Sequence, residues 1–264
     1  ILIFEVLLMS AFLFMQGADL TLQKLGADHY IQAGSYPVSS WLAPLFDGMS
    51  METVYGFERG LWWFHILGIL GFLNYLPYSK HFHIILAFPN TYYSKLEPKG
   101  AFTNMESVKK EVQMMMDPNA DPFAAPAEGA EDEEPQRFGA KDVNDLNWVQ
   151  LMNSYTCTEC GRCTSECPAN QTGKLLSPRK IMMDTRDRLD EYGANLDANG
   201  KDSDDGKSLL DDYITREELW ACTSCNACTQ ACPINIDPLS IILDMRRYLV
   251  MEESAAPTEL NMMF

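Results

Sequence analysis

Two stretches of the chain are apolar enough to leave water. Residues 1–15, ILIFEVLLMSAFLFM, are interrupted only by Glu5 and Ser10, a run slightly shorter than the ~20 residues that cross a bilayer. Residues 60–78 are the stronger candidate, with Trp62, Trp63, Tyr75 and Tyr78 clustered toward the two ends, where interfacial aromatics sit. The pattern predicts membrane helices over about 1–16 and 58–86, with an outer loop between them, inside a membrane domain of residues 1–100. The chain opens on Ile rather than Met, so residues are expected to precede it. No basic leader or small-residue cleavage site marks a secretory signal.

Beyond residue 100 the pattern changes. Residues 101–141 read as an amphipathic helix over Ser107–Met116, followed by an acidic linker rich in Pro and Ala from Asp117 to Gly139. Residues 142–264 read as a duplicated unit of helix, loop and helix. Ser177-Pro178 and Asp237-Pro238 are N-cap and N1 pairs. The helices they open align as Ile181-x2-Asp184-x-Arg186-x2-Leu189 and Ile241-x2-Asp244-x-Arg246-x2-Leu249. The first is expected to stop at Gly193. Residues 142–153 and a capping box of Thr215 and Glu218 open the helices that lead into each half. The stretch from Asp197 to Asp212 is acidic and Gly-rich and reads as a solvated loop. The fold class expected is all-α: the last part of a transmembrane bundle, then a helical domain.

Charge divides along the same line. Of the formal −17, residues 1–100 carry −2 and the rest −15. Such an acidic surface excludes nucleic acid as a partner, since phosphate needs a basic face. Lys80, Lys95, Lys99, Lys109 and Lys110 follow the second apolar stretch, against Lys24 and Arg59 between the two. The positive-inside rule therefore puts everything after residue 80 in the cytoplasm.

The chemistry lies in eight cysteines. Cys157, Cys160, Cys163 and Cys167 read C-x2-C-x2-C-x3-C before Pro168. Cys222, Cys225, Cys228 and Cys232 repeat the run before Pro233. Structural zinc takes its ligands in two pairs and leaves one thiolate of each triple run unexplained. Disulfide scaffolds belong to short secreted chains. The spacing is the bacterial ferredoxin run for two [4Fe–4S] clusters, in which the fourth Cys of each run ligates the other cluster. On that rule one cluster takes Cys157, Cys160, Cys163 and Cys232, and the other takes Cys222, Cys225, Cys228 and Cys167. Full use of cysteine in cluster runs implies a reducing compartment, the side that the lysines also indicate. Arg162 stands in the first run where the second has Ala227. Its charge either raises the potential of the nearby cluster or points to water.

The runs lie 65 residues apart, which requires helices between them. Residues 142–252 resemble the all-helical ferredoxin of heterodisulfide reductase C-type subunits, anaerobic glycerol-3-phosphate dehydrogenase C-type subunits and the succinate dehydrogenase iron–sulfur subunit.

His65 and His83 are 18 residues apart. On one continuous helix that is five turns, which puts both on one face about 27 Å apart. The segment H-x3-G…P-x-S-K-x2-H resembles the last helix of the nitrate reductase gamma-subunit type of cytochrome b. The resemblance implies that His65 and His83 each ligate one of two b haems, with partner ligands from outside this chain. A packed, hydrogen-bonded His65 and an interfacial His83 are the plainer alternative. His29 and His81 read as surface residues.

Together these features describe an electron-transfer subunit of an oxidoreductase in a bacterial or archaeal cytoplasmic (inner) membrane, with its ferredoxin domain on the cytoplasmic side. It would link the quinone pool, through b haem, to two [4Fe–4S] clusters. Its partners would be membrane lipid, quinone, and a Cys-Cys-Gly-motif (heterodisulfide reductase B-like) or flavoprotein subunit. The resemblance assigns terminal chemistry to that Cys-Cys-Gly partner, and no residue here reads as catalytic. Two alternatives stand beside it. One is the iron–sulfur subunit of a cytoplasmic enzyme that is only anchored to the membrane and holds no haem. The other is an interaction module in which clusters merely hold the fold together.

Overall fold

The computed structural model describes residues 2–32, 34, 36–98, 101–116, 137–200 and 203–263. Among these the protein is helical, without strands, and divides into two compact units, Ile1–Lys80 and His81–Phe264.

In the first unit α1 (Leu2–Leu25) packs along α2 (Met51–Tyr75). The contact closes on small residues: a Cβ at Gly68 would come within 2.4 Å of the Leu8 side chain. Ala18, Leu22, Phe46 and Val54 form the core at the loop end. There the Thr21 hydroxyl bonds the carbonyls of Gly17 and Ala43, and Ser39 bonds Gln16 at 2.7 Å. Most other apolar side chains of the pair face outward, among them Leu7, Trp63, Leu67, Leu70 and Leu73. Water does not favour so much exposed apolar surface, which marks a lipid or protein contact.

The second apolar stretch differs from expectation. Among the described residues α1 is the one helix long and apolar enough to cross a membrane. Helix α2 begins earlier than expected, at Met51, and so carries Glu52, Glu58 and Arg59 in its first half. It also ends earlier. Pro77 lacks an amide hydrogen and crowds the preceding turn, so the chain passes through a single 3-10 turn at Leu76–Tyr78 and restarts as α3 (Phe82–Tyr92). A continuous helix over 58–86 is not formed, and His65 and His83 lie on different helices.

Helix α3 belongs to the second unit, which therefore starts at His81 rather than beyond residue 100. It packs on α5 (Trp148–Thr156), and its buried Asn90 donates to the Ile234 carbonyl at 2.7 Å. Between them α4 (Glu106–Met116) occupies the expected amphipathic segment. The acidic linker falls outside the described residues as far as position 136.

The duplicated part follows. The first half runs through α6 (Arg162–Ser165), α7 (Pro168–Gln171) and α8 (Pro178–Asn199). A kinked turn, α9 (Leu209–Asp212), and α10 (Arg216–Ala221) lead to α11 (Ala227–Ala231) and α12 (Pro238–Met251), and α13 (Thr258–Asn261) comes last. The caps are those expected from the sequence. Ser177 accepts from Lys180 N, Asp237 from Leu239 N and Ser240 N, and Thr215 and Glu218 close a reciprocal box. Helix α6 packs on α11 and α8 on α12, so the halves of the repeat face each other around one core. Ile181, Ile214, Leu219, Ile241, Met245 and Leu249 are fully buried in it, each contributing about 1.5–3 kcal/mol of hydrophobic stabilisation.

Two local expectations fail for physical reasons. Helix α8 runs through Gly193 and stops at Gly200, whose φ of +91° lies in the left-handed region. An interior glycine costs a helix only about 1 kcal/mol, too little to end one packed on a core. The acidic stretch after it is not simply solvated. Leu209 and Leu210 are buried, and Asp205 forms an ion pair with Arg188 of α8 at 2.5 Å.

Candidate iron–sulfur centres

Each cysteine run is a tight loop between a preceding helix and a following one, and the two loops share one backbone design. The first run turns left-handed at Glu159 (φ +58°) and Gly161 (φ +83°). The second does so at the equivalent Ser224 (φ +55°) and Asn226 (φ +60°). Non-glycine residues seldom adopt this conformation, so it is held by the structure around it. Its effect is to turn amides toward sulfur. Ser224 N donates to Cys222 Sγ at 3.4 Å, and Glu159 N to Cys157. Ile236 N donates to Cys232 Sγ, also at 3.4 Å.

The residue after the third cysteine is Thr in both runs, a repeat that the spacing of the cysteines alone does not bring out. Thr164 hydrogen-bonds Cys163, and its Oγ1 lies 2.9 Å from Ser177 Oγ. Thr229 hydrogen-bonds Cys228 and donates to Asp237 Oδ1 at 3.2 Å. Ser177 and Asp237 are the N-caps of α8 and α12. Each threonine thus ties a cysteine to the start of the helix behind it.

The thiols gather across the runs. Cys157, Cys160, Cys163 and Cys232 line one cavity of about 130 Å³, with Cys228 also in its wall and Met182, Ile234 and Ile236 among the apolar lining. Cys232 is within electrostatic reach of both Cys157 and Cys163, and Cys167 of Cys222. Cys167 and Cys228 are buried, whereas Cys160 and Cys225, the second of each run, are exposed. Burial pushes the thiols of Cys157, Cys163 and Cys222 up, and that of Cys228 up to about 12. Among the described residues no three His, Cys, Asp or Glu side chains converge as a single-ion site does. Soft sulfur donors spread around an apolar cavity, each run with amide hydrogens aimed at sulfur, fit an iron–sulfur cubane.

Two arginines at equivalent places in the repeat reach these loops. Arg186 of α8 bonds Glu159 at 2.8 Å, and Arg246 of α12 bonds the carbonyls of Leu219 (2.5 Å) and Cys222 (2.6 Å) and Ser224 Oγ (3.2 Å). Arg162, which the sequence singled out, is exposed at the cavity rim.

The histidines separate. His65 Nδ1 lies 3.1 Å from the Leu8 carbonyl, and its ring stacks 5.3 Å from Phe12. Helix α1 carries no histidine and the unit's other one, His29, lies in the loop beyond it, so the described residues of this unit bring no second histidine to His65. His83 stands with Ala87, one turn on, in the wall of the thiol cavity, and His81 lies edge-on to it at 6.5 Å. His29 is exposed in the loop after α1.

Residues 156–236 match the 4Fe-4S dicluster domain family. The chain is 31% identical over 248 residues to the "Probable iron-sulfur-binding oxidoreductase FadF" of Bacillus subtilis, across 83% of this chain and 32% of that protein. It is 30% identical over 254 residues to the "EtfAB:quinone oxidoreductase" of Syntrophomonas wolfei, across 89% of this chain and 32% of that protein. Over 119 residues it is 32% identical to the C-type subunit of the ferredoxin/F(420)H(2)-dependent CoB-CoM heterodisulfide reductase of Methanosarcina acetivorans, across 45% of this chain and 60% of that protein. No solved structure matches. The chain spans about one third of the length of the first two relatives. Within it, the segment that matches the 4Fe-4S dicluster domain holds both cysteine runs.

Proposed function

We propose that the chain is the electron-transfer portion of a membrane-associated oxidoreductase, carrying single electrons between membrane quinone and a soluble Cys-Cys-Gly-motif or flavoprotein partner. The observation that carries the reading is the gathering of thiols from both runs around one apolar cavity with backbone amides aimed at sulfur. The apolar helix α1 and the 30% identity to a quinone oxidoreductase support the membrane and quinone end.

Cys157, Cys160, Cys163 and Cys232 would hold one cluster, and Cys222, Cys225, Cys228 and Cys167 the other. When bound, each cluster stores and passes one electron. The residues around it set how readily it does so. Amides of Glu159, Ser224, Thr229 and Ile236 and the hydroxyl of Thr164 face sulfur, where they would stabilise the added negative charge. Met182, Ile234 and Ile236 keep water from the cavity. Cys160 and Cys225, the exposed ligands, would face an approaching partner. Crossed ligation would tie the two runs together and hold both clusters within one domain.

The haem ligation expected of His65 and His83 needs partner ligands from outside this chain. It predicts that either substitution in the full-length protein abolishes haem absorbance and spares cluster iron. The position of His83 beside the thiols favours a role at the cluster instead. On that reading His83→Ala alters the cluster EPR signal and leaves haem content unchanged. Iron, labile sulfide and reduced-minus-oxidised spectra of detergent-purified protein test both parts. About eight cluster irons per chain are expected; two or fewer would remove the dicluster reading.

A further inference from the structure

The repeat places one arginine behind each cysteine loop, yet it leaves the two with different partners. Arg186 and Arg246 occupy the same position in the aligned helices, and each reaches the residue two after its run's first cysteine: Glu159 in one half, Ser224 in the other. They are also the cations that interact electrostatically with Cys157 and Cys222. At Glu159 the chain supplies a carboxylate, and the Arg186 charge is matched by an ion pair at 2.8 Å in which both side chains are more than four-fifths buried. At Ser224 it supplies a neutral hydroxyl. Arg246 donates instead to the Leu219 and Cys222 carbonyls and lies 5.0 Å over the Trp220 ring. Among the described residues no carboxylate forms an ion pair with it. A guanidinium stays protonated under such conditions.

We infer that Arg246 is an unneutralised positive charge behind the cluster of the second run, that the Arg186–Glu159 pair is its neutralised counterpart behind the first, and that this difference sets the order of the two cluster potentials. The inference rests on the dicluster reading above. Reduction adds one negative charge to a cluster, and a nearby fixed cation that no anion offsets favours that state. The cluster held by Cys222, Cys225 and Cys228 is then the better acceptor. In the step between them the cluster of the first run is oxidised by one electron and that of the second is reduced by one, and no proton need move. Arg162 and Arg179, which also line the first run's cavity, are exposed to water and screened by it, and contribute little to the difference.

The test is an EPR-monitored redox titration of detergent-purified full-length protein, with each signal assigned by its loss in Cys157→Ser or Cys222→Ser. Arg246→Gln is expected to shift electron partition away from the second cluster by at least about tenfold, roughly 59 mV for a one-electron couple, and Arg246→Lys to restore most of it. Arg186 also lies 3.5 Å from the exposed Asp187, so Glu159→Gln is combined with Asp187→Asn to unmask it, and the double variant is expected to raise the first cluster's potential by a similar factor. Retained clusters with unshifted potentials in Arg246→Gln would overturn the inference. If Arg246→Gln loses its cluster through the broken carbonyl bonds, the Glu159→Gln, Asp187→Asn double variant decides alone, and an unmoved first potential overturns the inference. Absence of both clusters from the unmodified protein would instead refute the dicluster reading on which the inference rests.

Discussion

Replacing Cys232 with serine is expected to remove the cluster of the first cysteine run and to leave that of the second. By position in the chain the residue belongs with Cys222, Cys225 and Cys228. In space its thiol shares a cavity with Cys157, Cys160 and Cys163, and its sulfur accepts a hydrogen bond from Ile236 N. The reciprocal residue, Cys167, is buried beside Cys222. Cluster iron should fall from about eight to about four per chain. The EPR signal lost should be the one lost in Cys157→Ser, and Cys167→Ser should remove the other. The comparison is informative because Cys228 also reaches the cavity wall. If Cys232→Ser and Cys222→Ser abolish the same signal, each run serves its own cluster and the crossed assignment is wrong.

The second large effect concerns stability. Arg188 is 1% exposed. Its guanidinium donates to Asp142 at 3.0 and 2.6 Å, to Asp205 at 2.5 and 3.0 Å, and to the Lys207 carbonyl at 2.8 Å. Asp142 also accepts from Leu209 N at 2.9 Å. One side chain therefore fastens the start of the ferredoxin domain, the middle of α8 and the acidic stretch between the repeats. Its removal leaves two carboxylates around a vacated, largely buried space. Breaking such a group by deleting one partner costs about 3–5 kcal/mol. Arg188→Ala should lower the denaturation midpoint of the cluster-loaded protein accordingly. Asp205→Asn, at the more exposed end, should cost about 1–2 kcal/mol. A change below about 1 kcal/mol in Arg188→Ala would mean that the triad does not organise the domain.

Features set by short-range chemistry are legible in the chain. Cysteine spacing, the Ser177, Thr215 and Asp237 caps and the Ile-x2-Asp-x-Arg repeat each depend on a few neighbouring residues. What the chain does not disclose depends on packing. The 18-residue spacing of His65 and His83 favours one continuous helix, yet Pro77 lies between them and the structure breaks the helix there. Gly193 carries a helix-stopping propensity too weak to act once α8 is anchored by Ile181, Met182 and Arg188. Asp205 reads as one acid among several because its partner lies 17 positions away in sequence. The membership of α3 in the second unit follows from its contact with α5 and the Asn90–Ile234 bond, and neither has a sequence period. Thr164 and Thr229 become visible in the sequence once the alignment of the two runs is extended by one residue.

The most direct test of the central claim is electron transfer itself. Full-length protein in lipid vesicles is reduced with dithionite, freed of reductant and mixed with a quinone analogue while cluster absorbance is followed. Reoxidation of both clusters by the quinone is expected, slowed when either cysteine run is disabled. Clusters that remain reduced in the presence of quinone, yet are oxidised at once by a soluble acceptor, would contradict it and leave the apolar helices as an anchor alone.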